Sequence, residues 1–159
     1  MKARILLAID GSEPSMRAVR YVANLLGNQR DVSVTLLHIL LPVPPALLEA
    51  GSFEVEPQLE LERVNWVKAE AAVECNIFDP VREMLTKAGF DGKQIQTRCQ
   101  RLTSQSDVAH EILRESENGN YDTIVMGKRG GSRIATFLTG SITEKVARHV
   151  KGRAVWIID

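Results

Sequence analysis

The chain has 159 residues, 44% of them hydrophobic and 25% charged, with 20 basic side chains balancing 20 acidic ones. That length suits a single domain over residues 1–159, and zero net charge removes any global electrostatic case for nucleic acid or a membrane surface. Cys75 and Cys99 are too few for a disulfide framework and lack metal-ligand spacing, so both are expected as reduced, partly buried thiols. No stretch approaches the roughly 20 apolar residues that span a bilayer. The first apolar run ends in Asp10 rather than a small-residue cleavage site, and the expected compartment is the cytoplasm.

Ile5 to Ile9 is apolar on both faces and stops at Asp10-Gly11-Ser12, as a central parallel strand does. After Pro14 and Ser15, Met16, Val19, Val22, Ala23 and Leu26 fall at helical spacing, and Gly27-Asn28 supplies the stop. Val32 to Leu40 repeats the strand pattern, and Pro42, Pro44 and Pro45 end it. Residues 46–57 read as a loop with a short helical turn. From about Gln58 to Lys87 an apolar stripe through Leu61, Val64, Val67, Ala71, Phe78, Val81 and Leu85 predicts one long helix, disturbed near Asp79-Pro80. Gln94 to Leu102 has the weaker alternation of an edge strand. A helix opens at Ser106-Asp107 and stops at Asn118-Gly119-Asn120; a strand runs from Thr123 to Met126. Ser141 to Val150 is a last helix, and Ala154 to Ile158 a last strand. Strands alternating with helices predict an α/β fold: a doubly wound parallel sheet with helices on both faces. Ligands in such folds sit beyond the carboxyl ends of the strands, where the strand order switches.

Two segments at strand carboxyl ends carry unusual chemistry: Asp10-Gly11-Ser12 and the stretch from Gly127 onward. Gly127 and Gly130 come directly off a strand, where a missing Cβ lets the backbone turn sharply and approach a ligand. Gly140-Ser141 opens a helix, and Ser141-Ile142-Thr143-Glu144 fits a capping box. A helix start presents unpaired amide N–H groups, an anion site suited to phosphate. The same glycines also suit a loop that binds nothing, and Ser141 also suits a cap. The spacing matches neither GxxxxGK[ST] nor a GxGxxG after the first strand.

The spacing Gly127-x2-Gly130-x9-Gly140-Ser141 resembles the signature of the universal stress protein family in its ATP-binding branch. The resemblance extends to Ala8-Ile9-Asp10-Gly11-Ser12, to Leu36-Leu37-His38-Ile39 and to Ser106-Asp107-Val108-Ala109-His110-Glu111-Ile112, over essentially the whole chain. It implies a five-stranded parallel sheet in the order 3-2-1-4-5 and a homodimer through Ala154–Ile158. It also implies a resident adenine nucleotide, ATP or another adenylate, with magnesium, in a stress-response regulator or sensor rather than a dedicated enzyme. The backbone near Ile39 would then hold the adenine edge, with Ala8 and Asp10 beside base and ribose. Met126, Gly127, Arg129 and Gly130 would line ribose and the first phosphates, and Gly140, Ser141, Ile142 and Thr143 the phosphate tail.

Several residues keep two readings. Asp10 is either a ligand to ribose or magnesium or a turn former bonded to its own backbone. Lys128 and Arg129 either add charge to phosphate or face solvent. Trp156 is either a dimer anchor or core packing, and His38 reads as a satisfied structural histidine. The rival functions are a slow ATP hydrolase or phosphotransferase, a receiver domain, a flavin module and a nucleotide-independent interaction protein. Asp10 stands alone where a receiver domain has an acidic cluster, and phosphoryl transfer wants a water-positioning group and metal ligands that the sequence does not display.

Overall fold

A computed structural model describes residues 2–41, 55–103, 105–128 and 142–159, the side chains of 55–62 excepted. Five strands form one parallel sheet: β1 (Ala3–Ala8), β2 (Val32–Leu40), β3 (Ile95–Arg101), β4 (Thr123–Gly127) and β5 (Ala154–Ile158). Their order is β3-β2-β1-β4-β5, as the resemblance implies. The chain winds outward from β1 to β3 and then returns past β1 to lay down β4. The carboxyl ends of β1 and β4, paired Ala8 to Met126, therefore flank the switch in strand order.

Helices cover both faces: α1 (Glu13–Leu26), α2 (Val55–Val73), α3 (Asp79–Lys87), α4 (Val108–Asn118) and α5 (Ile142–His149). Ile5, Leu7, Val34, Leu36 and Val125 on one face pack with Val19 and Val22 of α1 and with Val81 and Leu85 of α3. Leu6, Leu37, Ile124 and Met126 on the other pack with Ala109 and Ile112 of α4 and Val146 of α5. The strand residues alternate between the two cores because successive side chains point to opposite faces. Helix α1 starts at Glu13, ahead of the expected Met16 stripe. Ser12 caps it, and Pro14 sits in the first turn, where its missing N–H loses no helix bond.

The long helix departs from its expected form. It starts at Val55 and is interrupted by a π turn over Glu74–Phe78, in which the Asp79 N–H bonds to the Glu74 carbonyl five residues back. Pro80 follows at once, so the wide turn falls where the ordinary ladder loses a donor. The extra residue shifts the phase of the buried face. Val73 and Phe78, five apart, are both buried, whereas Val64, Val67 and Ala71 are exposed. Counting back from Phe78 at ordinary helical spacing selects those three, which is why that half of the expected stripe faces out. Trp66 and Ala69 pack inward instead. Cys75, on the π turn, is likewise exposed rather than partly buried.

Candidate functional site

A cavity of about 480 Å³ opens over the carboxyl ends of β1, β2 and β4. Of the residues singled out in the sequence, Ala8, Asp10, Ile39, Met126, Gly127, Ile142 and Thr143 line it together. Arg129, Gly130, Gly140 and Ser141 lie outside the described residues. The cavity also takes in Ser12, Pro14, Ser15, Leu37, His38, Val108 and Ile112, which sequence reasoning did not assign to a site. Val108 and Ile112, four apart on the inner side of α4, carried the signal that could have placed them: helical spacing in a segment already matched to the family.

The β1–α1 turn folds on itself. The Asp10 carboxylate accepts from the Ser12 N–H at 2.9 Å and from the Ser12 hydroxyl, so the turn-former reading of Asp10 describes these contacts. The Ser15 hydroxyl donates to the Ser12 carbonyl at 2.9 Å, which fixes the start of α1 against the turn. Gly11 holds φ +79°, a left-handed conformation that costs other residues about 1 kcal/mol or more. Gly127 answers a different demand. A Cβ there would lie 2.1 Å from the Pro14 carbonyl oxygen, so only glycine lets the end of β4 meet the first turn of α1.

The ladder between β1 and β2 ends inside the cavity. The Ile9 N–H donates to the Leu37 carbonyl at 2.9 Å, and on the other edge the Leu102 N–H donates to the Leu40 carbonyl at 2.8 Å. Main-chain polar groups in a strand alternate sides, so those of odd-numbered β2 residues point toward β1. At Ile39 β1 has already ended. The Ile39 N–H and C=O thus face the crevice, and no described residue bonds to either. The next acceptor along β1, the Ile9 carbonyl, is taken by His38 Nδ1 at 2.9 Å. A carbonyl only accepts, so Nδ1 carries the proton.

The far wall comes from α4 and α5. Asp107 caps α4 by accepting the His110 N–H at 2.9 Å, and its other oxygen accepts from Lys145 Nζ on α5 at 2.9 Å. The Lys145 hydrogen bond, reinforced by the His110 N–H, holds the Asp107 carboxyl below its ordinary range. Thr143 is buried in the first turn of α5, and with Ile142 it brings the start of that helix to the cavity edge. Lys128, largely exposed, reaches Asp159 at 3.4 Å. Trp156 is partly buried, packed on the core and edge-on to Tyr21 with ring centroids 6.2 Å apart; the exposed large apolar residue of β5 is Ile157. Burial pushes the Cys99 thiol up to about 11. Among the described residues no three His, Cys, Asp or Glu side chains are grouped to hold a metal ion, and no helix is long and apolar enough to cross a membrane.

The result is a half-open cleft with apolar walls, a few fixed hydroxyls, a main-chain donor and acceptor that no described residue engages, and a helix start. Ligand pockets of about 300–1,000 Å³ have this balance. Among curated proteins the chain is similar to Universal stress protein YxiE of Bacillus subtilis, 27% identical over 146 residues, covering 91% of each. Among solved structures it resembles the hypothetical protein MJ0577, with a TM-score of 0.72 and 22% identity over 99% of this chain and 96% of that one. It also resembles a universal stress protein in complex with cAMP, with a TM-score of 0.65 and 18% identity over 99% and 96%. A family model described as the Universal stress protein family matches residues 1–158, and with that match the chain belongs to the universal stress protein family.

Proposed function

We propose that this protein binds an adenine nucleotide, ATP with magnesium, as a cytoplasmic stress-response regulator with at most slow hydrolysis. The observation that carries the reading is the donor–acceptor pair on the Ile39 main chain, which no described residue engages and which faces the cavity past the end of β1. Adenine offers the complement, a ring nitrogen that accepts beside an amino group that donates. Ala8, Met126, Val108 and Ile112 supply apolar surface for the ring. Asp10 and Ser12 stand where a ribose would lie, and the main chain at Met126, Gly127 and Gly130 would pack against ribose and the first phosphates. The α5 start at Ile142 and Thr143, preceded by Gly140-Ser141 and with Arg129 adding charge, would grip the tail through amides. Magnesium would be held through phosphate oxygens. The cAMP bound by a structural relative supports the ligand class.

In this reading the whole chain acts as one nucleotide-binding domain and pairs with a second copy through β5, whose outer edge carries Ile157. Sedimentation at micromolar concentration checks the dimer. Denaturing freshly purified protein and identifying the released nucleotide tests the ligand directly. In equilibrium dialysis with labelled ATP and magnesium, Gly130→Val is expected to abolish uptake by filling the phosphate space. Equal retention by wild type and variant refutes the assigned site.

A further inference from the structure

The protein holds the Ile39 main chain open at the cost of a hydrogen bond that a parallel ladder would normally make. The Ile9 N–H already bonds to the Leu37 carbonyl, so the next rung in register is Ile39 N–H to the Ile9 carbonyl. That rung is missing, and the Ile9 carbonyl accepts instead from His38 Nδ1 at 2.9 Å. His38 and Ile39 are neighbours on one strand, and the Ile9 carbonyl accepts from the side chain of the first rather than from the amide of the second.

We infer that His38 is a positioning residue for base recognition: its Nδ1–H occupies the Ile9 carbonyl so that the Ile39 N–H stays available to a ligand. The inference rests on the adenylate reading of the cavity. The chemistry selects the ligand edge. With the ring held in the orientation that seats adenine, the order of donor and acceptor at Ile39 favours a purine that presents an accepting ring nitrogen beside an amino group over one whose ring N–H and carbonyl reverse that polarity. Without the imidazole, the Ile9 carbonyl would be a part-buried acceptor with no partner, and the Ile39 N–H is the donor nearest in register to satisfy it. The ladder would then zip one rung further and take the donor out of the cleft.

Wild type, His38→Leu and His38→Asn decide the matter, since the Asn amide can place an N–H near the position of Nδ1. Without ligand, the Ile39 amide of wild type is expected to exchange with solvent at least about tenfold faster than that of Leu37, to become protected in His38→Leu, and to stay fast in His38→Asn. In titrations, His38→Leu should weaken ATP about tenfold, one hydrogen bond's worth, and narrow the preference for ATP over ITP by a similar factor. His38→Asn should restore both. A protected Ile39 amide in ligand-free wild type overturns the inference, as does a His38→Leu protein that keeps its ATP-over-ITP preference or loses ATP and ITP equally. If wild type takes up no ATP, the adenylate reading fails, while the exchange data still decide what His38 does to the Ile39 amide.

Discussion

The two ends of the sheet are finished in opposite ways. At the amino ends every strand start is tied down. The Ala3 N–H bonds to the Asp31 carbonyl, Arg4 and Asp122 exchange bonds, and the Ala154 N–H bonds to the Asp122 carbonyl. Buried Gln94, from a 3₁₀ turn over Gly92–Gln94, donates to the Gln29 and Val32 carbonyls at 2.8 and 2.7 Å and accepts from the Asp91 N–H at 2.8 Å. At the carboxyl ends the ladder stops short, the β1–α1 turn bonds inward to itself, and two main-chain groups of Ile39 face a cavity. Backbone polar groups are normally paired. Closing one end and leaving the other open divides the labour in the proposed reading, with stability at the bottom and binding at the top.

The sharpest way to break this division is Gly127→Ala. Its Cβ would fall 2.1 Å from the Pro14 carbonyl, and a backbone atom cannot swing aside as a side chain does. Moving α1 off β4 is expected to cost about 3 kcal/mol, the upper range for overpacking, visible as a lower urea midpoint. It also displaces Ser12 and Ser15, so ATP affinity should fall more than about tenfold (1.4 kcal/mol). An unchanged affinity would show that the open end does not depend on this contact. Gln94→Leu is the counterpart at the closed end. It leaves two carbonyls and one N–H without their partner and should cost about 2 kcal/mol, with ATP affinity within about twofold of wild type. Binding that falls in step with stability would mean that the two ends are coupled.

Much of this organisation is legible in the sequence, though unevenly. Apolar runs such as Ile5–Ile9 and Thr123–Met126 locate the strands because a strand buried on both faces has no alternation to lose. Asp10 and Gly127 are singled out by standing where strands end, and the family resemblance supplies Ala8, Ile39, Met126 and the strand order. The π turn defeats periodicity. Proline warns of trouble at position 80, but nothing in the residue string says that the repair is one extra residue, which turns Val64 and Val67 outward. His38 is satisfied, as read, by the Ile9 carbonyl. A histidine satisfied by a carbonyl looks structural in any sequence, and the consequence lies in which amide that carbonyl no longer accepts from. Such information depends on where β1 stops pairing, a tertiary fact.

The smallest effect probes how the open end is held at its rim. Asp107 bridges α4 to α5 through Lys145, the one described ion pair that joins these two helices. Its native pKa is lowered, so its contribution is fully present above the unfolded carboxylate value of about 3.9 and is lost as pH falls through the lower native value. The carboxylate is more than half exposed and screened, which limits the contribution to about 0.5 kcal/mol. Asp107→Asn keeps an N-cap oxygen for the His110 N–H but removes the charge. Thermal unfolding of the two proteins should therefore differ slightly at pH 7, less at high salt, and converge near pH 2–3. A gap that persists in acid assigns the loss to the cap instead of the ion pair. A change in ATP affinity beyond about threefold (0.7 kcal/mol) would make the α4–α5 tether part of the binding end rather than its scaffold.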